Sequence, residues 1–380
     1  MFSCMKSKLQ PGKSETTTKM SSDPTCDVLI IGAGLTGLSL AHQLRSQQPG
    51  LDVLVLEARD RIGGRIHTAT TSDGAAVEMG ATWFFPFFRN LFAVLKGLKV
   101  ELMPQYMKGA TLQESSARSP PRRYNSGDDG DMFRIKGGTG NIVNTLYSKL
   151  DPGRVLLNQV VTDINKSDRG VEVVTRDMTF TARKVVTTVP PQLLAHTVKF
   201  SPALPTEVMN VARETHTWMG DSMKGAITYA KPFWKEEGLA GALYSNAGPF
   251  VQMYDQTSTD GEHFALVGFM DDSIAHLPEK ERRARVVAQL SRVFGKEAEN
   301  YLDYKDTFWA DEEFTMPSGN VGRLSRHKNN GHSAYSNVYM GGSLYIGGTE
   351  TSSHAGGYME GAVTSAANIA KRIKDDFSKI

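Results

Sequence analysis

Cysteine is nearly absent from this 380-residue chain: there are two, Cys4 and Cys26, and both lie in the first 26 residues. The body that follows therefore has no internal disulfide, no C-x-x-C and no cysteine metal site, which suits a reducing compartment. Long hydrophobic runs are missing too, since no stretch approaches the ~18 apolar residues of a membrane helix. Nor is there an excess of one charge. The chain carries +2 overall, and its N-terminal tail accounts for that, with Lys6, Lys8, Lys13 and Lys19 against Glu15 and Asp23. The remaining body is neutral, which argues against a nucleic-acid partner. The tail lacks the apolar segment of a secretory signal and reads as disordered over residues 1–26. No G-x-S-x-G, H-E-x-x-H or Walker A segment occurs, and the nine histidines show no ligand spacing. Serine-hydrolase, zincin and P-loop chemistry are thereby excluded, and no metal site is expected. The chain is expected to be soluble and cytoplasmic, with organelle targeting by the tail left open.

What the chain does have is one compact unit from Asp27 to Arg65. Asp27–Ile31 is the short apolar run of a strand covered on both faces. Gly32-Ala33-Gly34-Leu35-Thr36-Gly37 follows as G-x-G-x-x-G. The first glycine permits a tight turn, the second lets backbone approach a pyrophosphate, and the third lets helix pack on strand. Leu35, Leu38, Ala41 and Leu44 continue at helical spacing, and Val53–Leu56 makes a second strand ending in Glu57, twenty residues beyond Gly37. A carboxylate there accepts hydrogen bonds from ribose hydroxyls and repels a 2′-phosphate, which points to NAD or FAD rather than NADP. Arg59, Arg61 and Arg65 follow on the side of the phosphates.

Further on, residues 115–131 are polar and rich in Pro and Gly, and read as an exposed loop. β-rich runs lie between Val155 and Val189, the last ending at Pro190-Pro191. From about residue 214 the texture changes to mixed strands carrying aromatics. Near the end, Leu344–Ile346 reads as a strand, Gly347–Thr351 as a turn, and about Tyr358 to Ile373 as a helix. Gly356 and Gly357 remove side chains where that helix begins, so its free amides can approach a ligand.

With these motifs on the page, the chain resembles the flavin-dependent amine oxidases. EARDRIGGR at the end of the first unit and GTETSSHAGGYMEGAV (Gly348 to Val363) carry the resemblance, with GGTG, VPP and MKGAITYAKPFW in order between them. The resemblance implies an α/β fold: a discontinuous, Rossmann-like FAD-binding domain (27–102, 137–213 and 312–380) with a mixed-sheet α+β substrate domain (103–136 and 214–311).

It also implies site residues. FAD contacts fall on Gly32, Gly34, Thr36, Glu57, Arg59, Arg65, Ala81, Thr82, Val161, Thr349, Glu350 and Met359, with Glu350 near the ribityl chain or pyrophosphate. Tyr358 matches one of two aromatics that sandwich the amine, and an apolar slot there favours the neutral amine by desolvation. Phe314 is the nearest candidate for the second. Trp83 faces the flavin cavity. Lys224 matches the lysine that holds a water against flavin N5, although strand alternation alone leaves open which face of its strand is buried. The region Trp309–Pro317 lacks the cysteine that animal monoamine oxidases use to attach FAD, so a dissociable cofactor is expected. The implied reaction is oxidation of a primary amine, with molecular oxygen as acceptor. The alternatives are an amino-acid or polyamine oxidase or desaturase on the same scaffold, and a non-catalytic flavoprotein. An amino-acid oxidase needs a cationic anchor, for which Arg118, Arg122 and Arg123 are the available residues.

Overall fold

The computed structural model describes residues 24–125, 131–318 and 324–378; most of the expected tail lies outside them. Two large sheets organise the chain. The first has the path 199–201, 161–167, 170–175, 179–187, 25–31, 53–56 and 155–156, and 344–346 pairs with 179–187 as well. Its centre is the expected unit: β1 (Thr25–Ile31), α1 (Leu35–Gln47) and β2 (Val53–Leu56), with β1 parallel to β2 and to Thr179–Thr187. Because β1 and β2 are covered on both faces, their apolar runs are nearly continuous. Val28, Ile30, Val53 and Val55 face α1 and the C-terminal helix Met359–Phe377, while Leu29, Ile31, Leu54 and Leu56 face the opposite cluster.

The second sheet has seven strands in the order 301–308, 223–229, 264–270, 250–255, 239–245, 110–114 and 122–125. Met223–Tyr229 is buried throughout. Met223 and Ile227 pack under the helix Glu279–Phe294, whereas Ala226, on the other face, meets Ala75, Val77 and Met79. Lys224 shares the parity of Ala226. That settles what alternation left open: Lys224 is turned toward the segment from Ala75 to Trp83.

One expectation changes. The stretch read as an exposed loop contains a strand, Arg122–Asn125, paired antiparallel with Ala110–Glu114. All four of its residues are exposed, so it carries no apolar alternation to betray it. Residues 126–130 of that stretch lie outside the described residues. The last helix begins at Met359, with Tyr358 as its N-cap, and continues to Phe377. No helix among the described residues is long and apolar enough to cross a membrane.

Candidate active site

A cavity of about 870 Å³ runs from the glycine turn to the wall of the second sheet, within the ~300–1,000 Å³ typical of ligand sites. At its first end stand Gly32, Gly34, Thr36, Glu57, Arg59 and Val161, with Val160 beside them. The three glycines do what their spacing implied. Gly32 has φ +106°, and a Cβ there would lie 2.5 Å from Thr188 Oγ1. A Cβ on Gly37 would lie 1.9 Å from the Gly32 carbonyl, so only glycine lets α1 sit on the turn. At Gly34 the nearest atom is 3.9 Å away, leaving that backbone open to a ligand. No side chain caps α1, so its first amides and positive dipole end are available to an anion. Glu57 is buried, accepting from Ala33 N at 2.8 Å and Arg59 N at 3.0 Å. Each oxygen keeps a further acceptor position for a ribose hydroxyl. Arg59 donates to Thr315 Oγ1 at 2.8 Å and to Glu312 at 3.3 Å.

Along the middle, Arg65, Ala81, Thr82, Thr349 and Met359 all line the cavity. Glu350 does not. It is completely buried behind Arg65, accepting from Nη2 at 2.9 Å and also from Nη1, while Nη1 donates to the Trp218 carbonyl at 2.8 Å. Its place is behind the guanidinium, which it orients, rather than at the ribityl chain or pyrophosphate.

At the second end the wall is aromatic. Trp83 packs edge-on against Tyr254 (5.0 Å) and near Phe269 (5.9 Å), with its indole donating to Gln105 Oε1 at 2.8 Å. Lys224 is wholly buried one layer behind. Its Nζ donates to Thr82 Oγ1 at 2.9 Å and lies 4.3 Å from the Trp83 ring centroid and 4.8 Å from that of Phe269. Burial pushes its pKa down to about 7, against the pull of Glu78. Glu78 is itself buried and pushed up, although the Thr139 amide (2.6 Å) and Thr68 hydroxyl (3.0 Å) donate to it. Lys224 thus reaches the cavity through Thr82 and titrates close to neutrality.

Tyr358 lines the cavity, but Phe314 is not its partner. Phe314 also lines the cavity, yet its ring lies under the Arg59 guanidinium at 5.7 Å. Among the described residues, the rings in contact with Tyr358 are Phe88 (5.7 Å), Trp218 (5.8 Å) and His327 (5.3 Å). Separations of that size are direct ring-to-ring contact, so Trp218 leans on Tyr358 rather than leaving a slot between the two. The expected cage aromatic at Phe314 therefore stands at the wrong end, because the segment after Trp309 follows Arg59 instead of Tyr358. Arg118, Arg122 and Arg123 are absent from the wall.

Sequence reading missed the side chains that close this end: Phe269, Gln252, Tyr244, Tyr254 and Trp218 all line it. Lys224 pairs with Phe269, Phe269 with Gln252, and Gln252 with Tyr244, so four strands deliver one row across the sheet. Only strand register could have found that row, and no turn motif in the sequence reports it.

Comparison with known proteins agrees with this architecture. Residues 111–374 match the profile of the flavin containing amine oxidoreductases, and residues 30–98 match an NAD(P)-binding Rossmann-like domain. The chain is 24% identical to the flavin-containing amine oxidase B of Sus scrofa, covering 93% of this chain and 87% of that protein. It is 26% identical to a putative flavin-containing monoamine oxidase of Mycobacterium tuberculosis, over 92% and 96% of the two. A putrescine oxidase variant superposes with a TM-score of 0.80 at 22% identity, over 93% of this chain and 99% of that one. Cyclohexylamine oxidase from Brevibacterium oxydans gives 0.80 at 20% identity, over 93% and 100%. With the glycine turn, the acid after β2 and an aromatic far wall on a single cavity, the chain belongs to the flavin-containing amine oxidoreductase family and is an FAD-dependent enzyme acting on amines.

Proposed function

We propose that the enzyme oxidises primary amines to imines, which hydrolyse to aldehyde and ammonia, with molecular oxygen reduced to hydrogen peroxide. The observation that carries this reading is the continuity of the cavity, which joins a backbone seat for a dinucleotide to an aromatic pocket backed by Lys224. When bound, FAD supplies the hydride acceptor and the route of electrons to oxygen. Gly34, the first turn of α1, Glu57 and Arg59 would hold the adenosine and pyrophosphate. Arg65, braced by Glu350, with Thr82, Thr349 and the start of the C-terminal helix, would hold the remainder. An amide-bearing helix end favours negative charge by ~0.3–1 kcal/mol, more when buried, so the start of that helix would hold an electron-rich part of the cofactor.

Lys224 would order water beside Thr82, and its depressed pKa lets it exchange protons near neutrality. Tyr358 and Trp83 would present apolar surface to the substrate carbon. Their desolvating environment favours the neutral amine, the form able to give up hydride. We read the cofactor as dissociable, because Cys26 is buried in β1, away from the cavity wall, and Trp309–Pro317 holds no cysteine. We assign residues 27–102, 137–213 and 312–380 to the FAD domain and 103–136 and 214–311 to the substrate domain. Every strand of the seven-stranded sheet falling within 110–125 or 223–308 supports that division.

The names of similar proteins extend to putrescine and cyclohexylamine, so the amine itself is the open variable. Because the arginines on the cavity wall are already paired, Arg59 with Glu312, Arg65 with Glu350 and Arg176 with Glu313, an amine is favoured over an amino acid. A panel of primary amines, a diamine and amino acids, read as peroxide and ammonia released, tests this. Equal yields of both from a primary amine are expected; turnover of amino acids alone would overturn the reading.

A further inference from the structure

Trp218, His327 and Tyr358 form a stack at the aromatic end of the cavity, and the chemistry above leaves its histidine unused. The His327 ring lies 5.1 Å from Trp218 at 22° and 5.3 Å from Tyr358 at 26°. Trp218 and Tyr358 line the cavity, with His327 behind them and partly exposed. Among the described residues, the one hydrogen-bonding neighbour of the Tyr358 hydroxyl is His327 Nε2, at 3.5 Å. On its other side, His327 Nδ1 meets the Asn330 side-chain amide at 3.1 Å, while Asn330 Oδ1 is buried without a partner. Turned over, that amide would accept from Nδ1–H and leave the Nε2 lone pair to the phenol. The backbone here turns left-handed at several non-glycine residues, and Met219 and Ala355 are the ones for which that region is unfavourable. Met219, His327, Asn329 and Ala355 all have positive φ, His327 at 59°, and each lies within three residues of one of the three rings. Such strain in non-glycine residues persists where the surroundings impose it, often at functional sites.

We propose that His327 acts through Tyr358 as the acceptor of the proton that a substrate ammonium must lose before its α-hydrogen can leave. This rests on the amine-oxidising reading above. One N–H bond of the ammonium breaks as its proton passes to the phenol oxygen. The phenol's own proton passes to His327 Nε2, the imidazolium then yields it to water, and no electrons move. His327 is thus a positioning residue that works through another group.

The groups facing it are His216, whose Nδ1 accepts from His327 N at 3.4 Å, Asp221 beyond His216, Arg326, Glu350 and the Gly356 backbone. Burial, His216 and Arg326 hold the imidazole below its ordinary value against the pull of Gly356 and Glu350, leaving a neutral base at neutral pH. Other acceptors on the wall are differently engaged. Glu57 is bound to turn amides, Glu313 faces Arg176 at 3.5 Å, and Asp131 is exposed. Lys224 is the rival, since it titrates close to neutrality behind Thr82 and Trp83.

The test uses the FAD-loaded enzyme. Anaerobic flavin bleaching by a primary amine is followed across pH in wild type and in His327→Asn, His327→Gly, Tyr358→Phe and Lys224→Met. Asparagine and glycine tolerate the positive φ. Wild type is expected to lose rate as pH falls through the His327 titration. His327→Asn should lose that acid limb and slow about a hundredfold at neutral pH, and added imidazole should restore His327→Gly. A second readout needs no turnover: binding tert-butylamine, which has no α-hydrogen, should release a proton to an indicator dye in a rapid-mixing experiment, and that release should be about a hundredfold slower in His327→Asn. An acid limb unchanged in His327→Asn, or one abolished only by Lys224→Met, overturns the proposal. Should His327→Asn fail to hold FAD, Tyr358→Phe must lose the same limb, and its retention overturns the proposal equally. A wild-type flavin that no amine bleaches fails the amine reading itself, a result distinct from bleaching with an unmoved limb.

Discussion

The two ends of the cavity are built on different plans. The glycine-turn end is made mostly from one stretch of chain, Gly32 to Arg59, whose free backbone is flanked by Val160 and Val161, whereas the aromatic end is made from side chains delivered by strands and loops far apart in sequence. A phosphate seat needs free amides and missing Cβ atoms at set intervals, and those requirements write themselves into spacing. An amine pocket needs only apolar walls and a few polar groups, which any strand can supply once register has placed it. The first kind of site is therefore rigidly specified and the second readily remodelled.

That contrast can be broken at several points. The largest effect is expected from Gly37→Val, whose side chain would collide with the Gly32 carbonyl. It should cost more than ~4 kcal/mol and remove both folded protein and bound flavin, read as soluble yield and flavin-to-protein ratio. Next comes Arg65→Met, which strands the buried Glu350 carboxylate. A loss of about 3 kcal/mol in denaturant unfolding is expected, and a conservative Arg65→Lys should recover only part, lacking the two-pronged contact. At the aromatic end, Lys224→Met should leave the flavin content intact but slow amine-dependent bleaching about a hundredfold, roughly 2.7 kcal/mol of barrier. Unchanged kinetics would remove Lys224 from the chemistry. The smallest effect belongs to Phe314→Ala. Because its ring stands at Arg59, it should weaken FAD retention by under about tenfold, a loss below ~1.4 kcal/mol, and leave the amine KM unmoved. A shift in KM alone would restore Phe314 to the amine pocket.

The legibility of the chain follows the same line. Gly32, Gly34, Thr36, Glu57, Arg59 and Arg65 were readable because strand, turn and helix occupy fixed offsets, and all of them line the cavity. Tyr358 and Met359 were readable for a similar reason, being tied to the glycines that open the C-terminal helix. Lys224 was found by its motif, but its orientation needed the packing of Ala226 on Val77. Glu350 was placed on the right element and one layer too far forward, since spacing cannot tell a ligand contact from a buried brace. Phe314 was misplaced by proximity in sequence. Trp218, Gln252, Tyr244 and Phe269 stayed hidden because cross-strand register and loop paths, not local pattern, bring them to the wall.

Mixing the FAD-loaded protein with a primary amine in the absence of oxygen tests the amine-oxidising reading most directly. Bleaching of the yellow flavin, reversed when oxygen is admitted and matched by peroxide, is the expected result; a flavin left unbleached by every amine offered would contradict it.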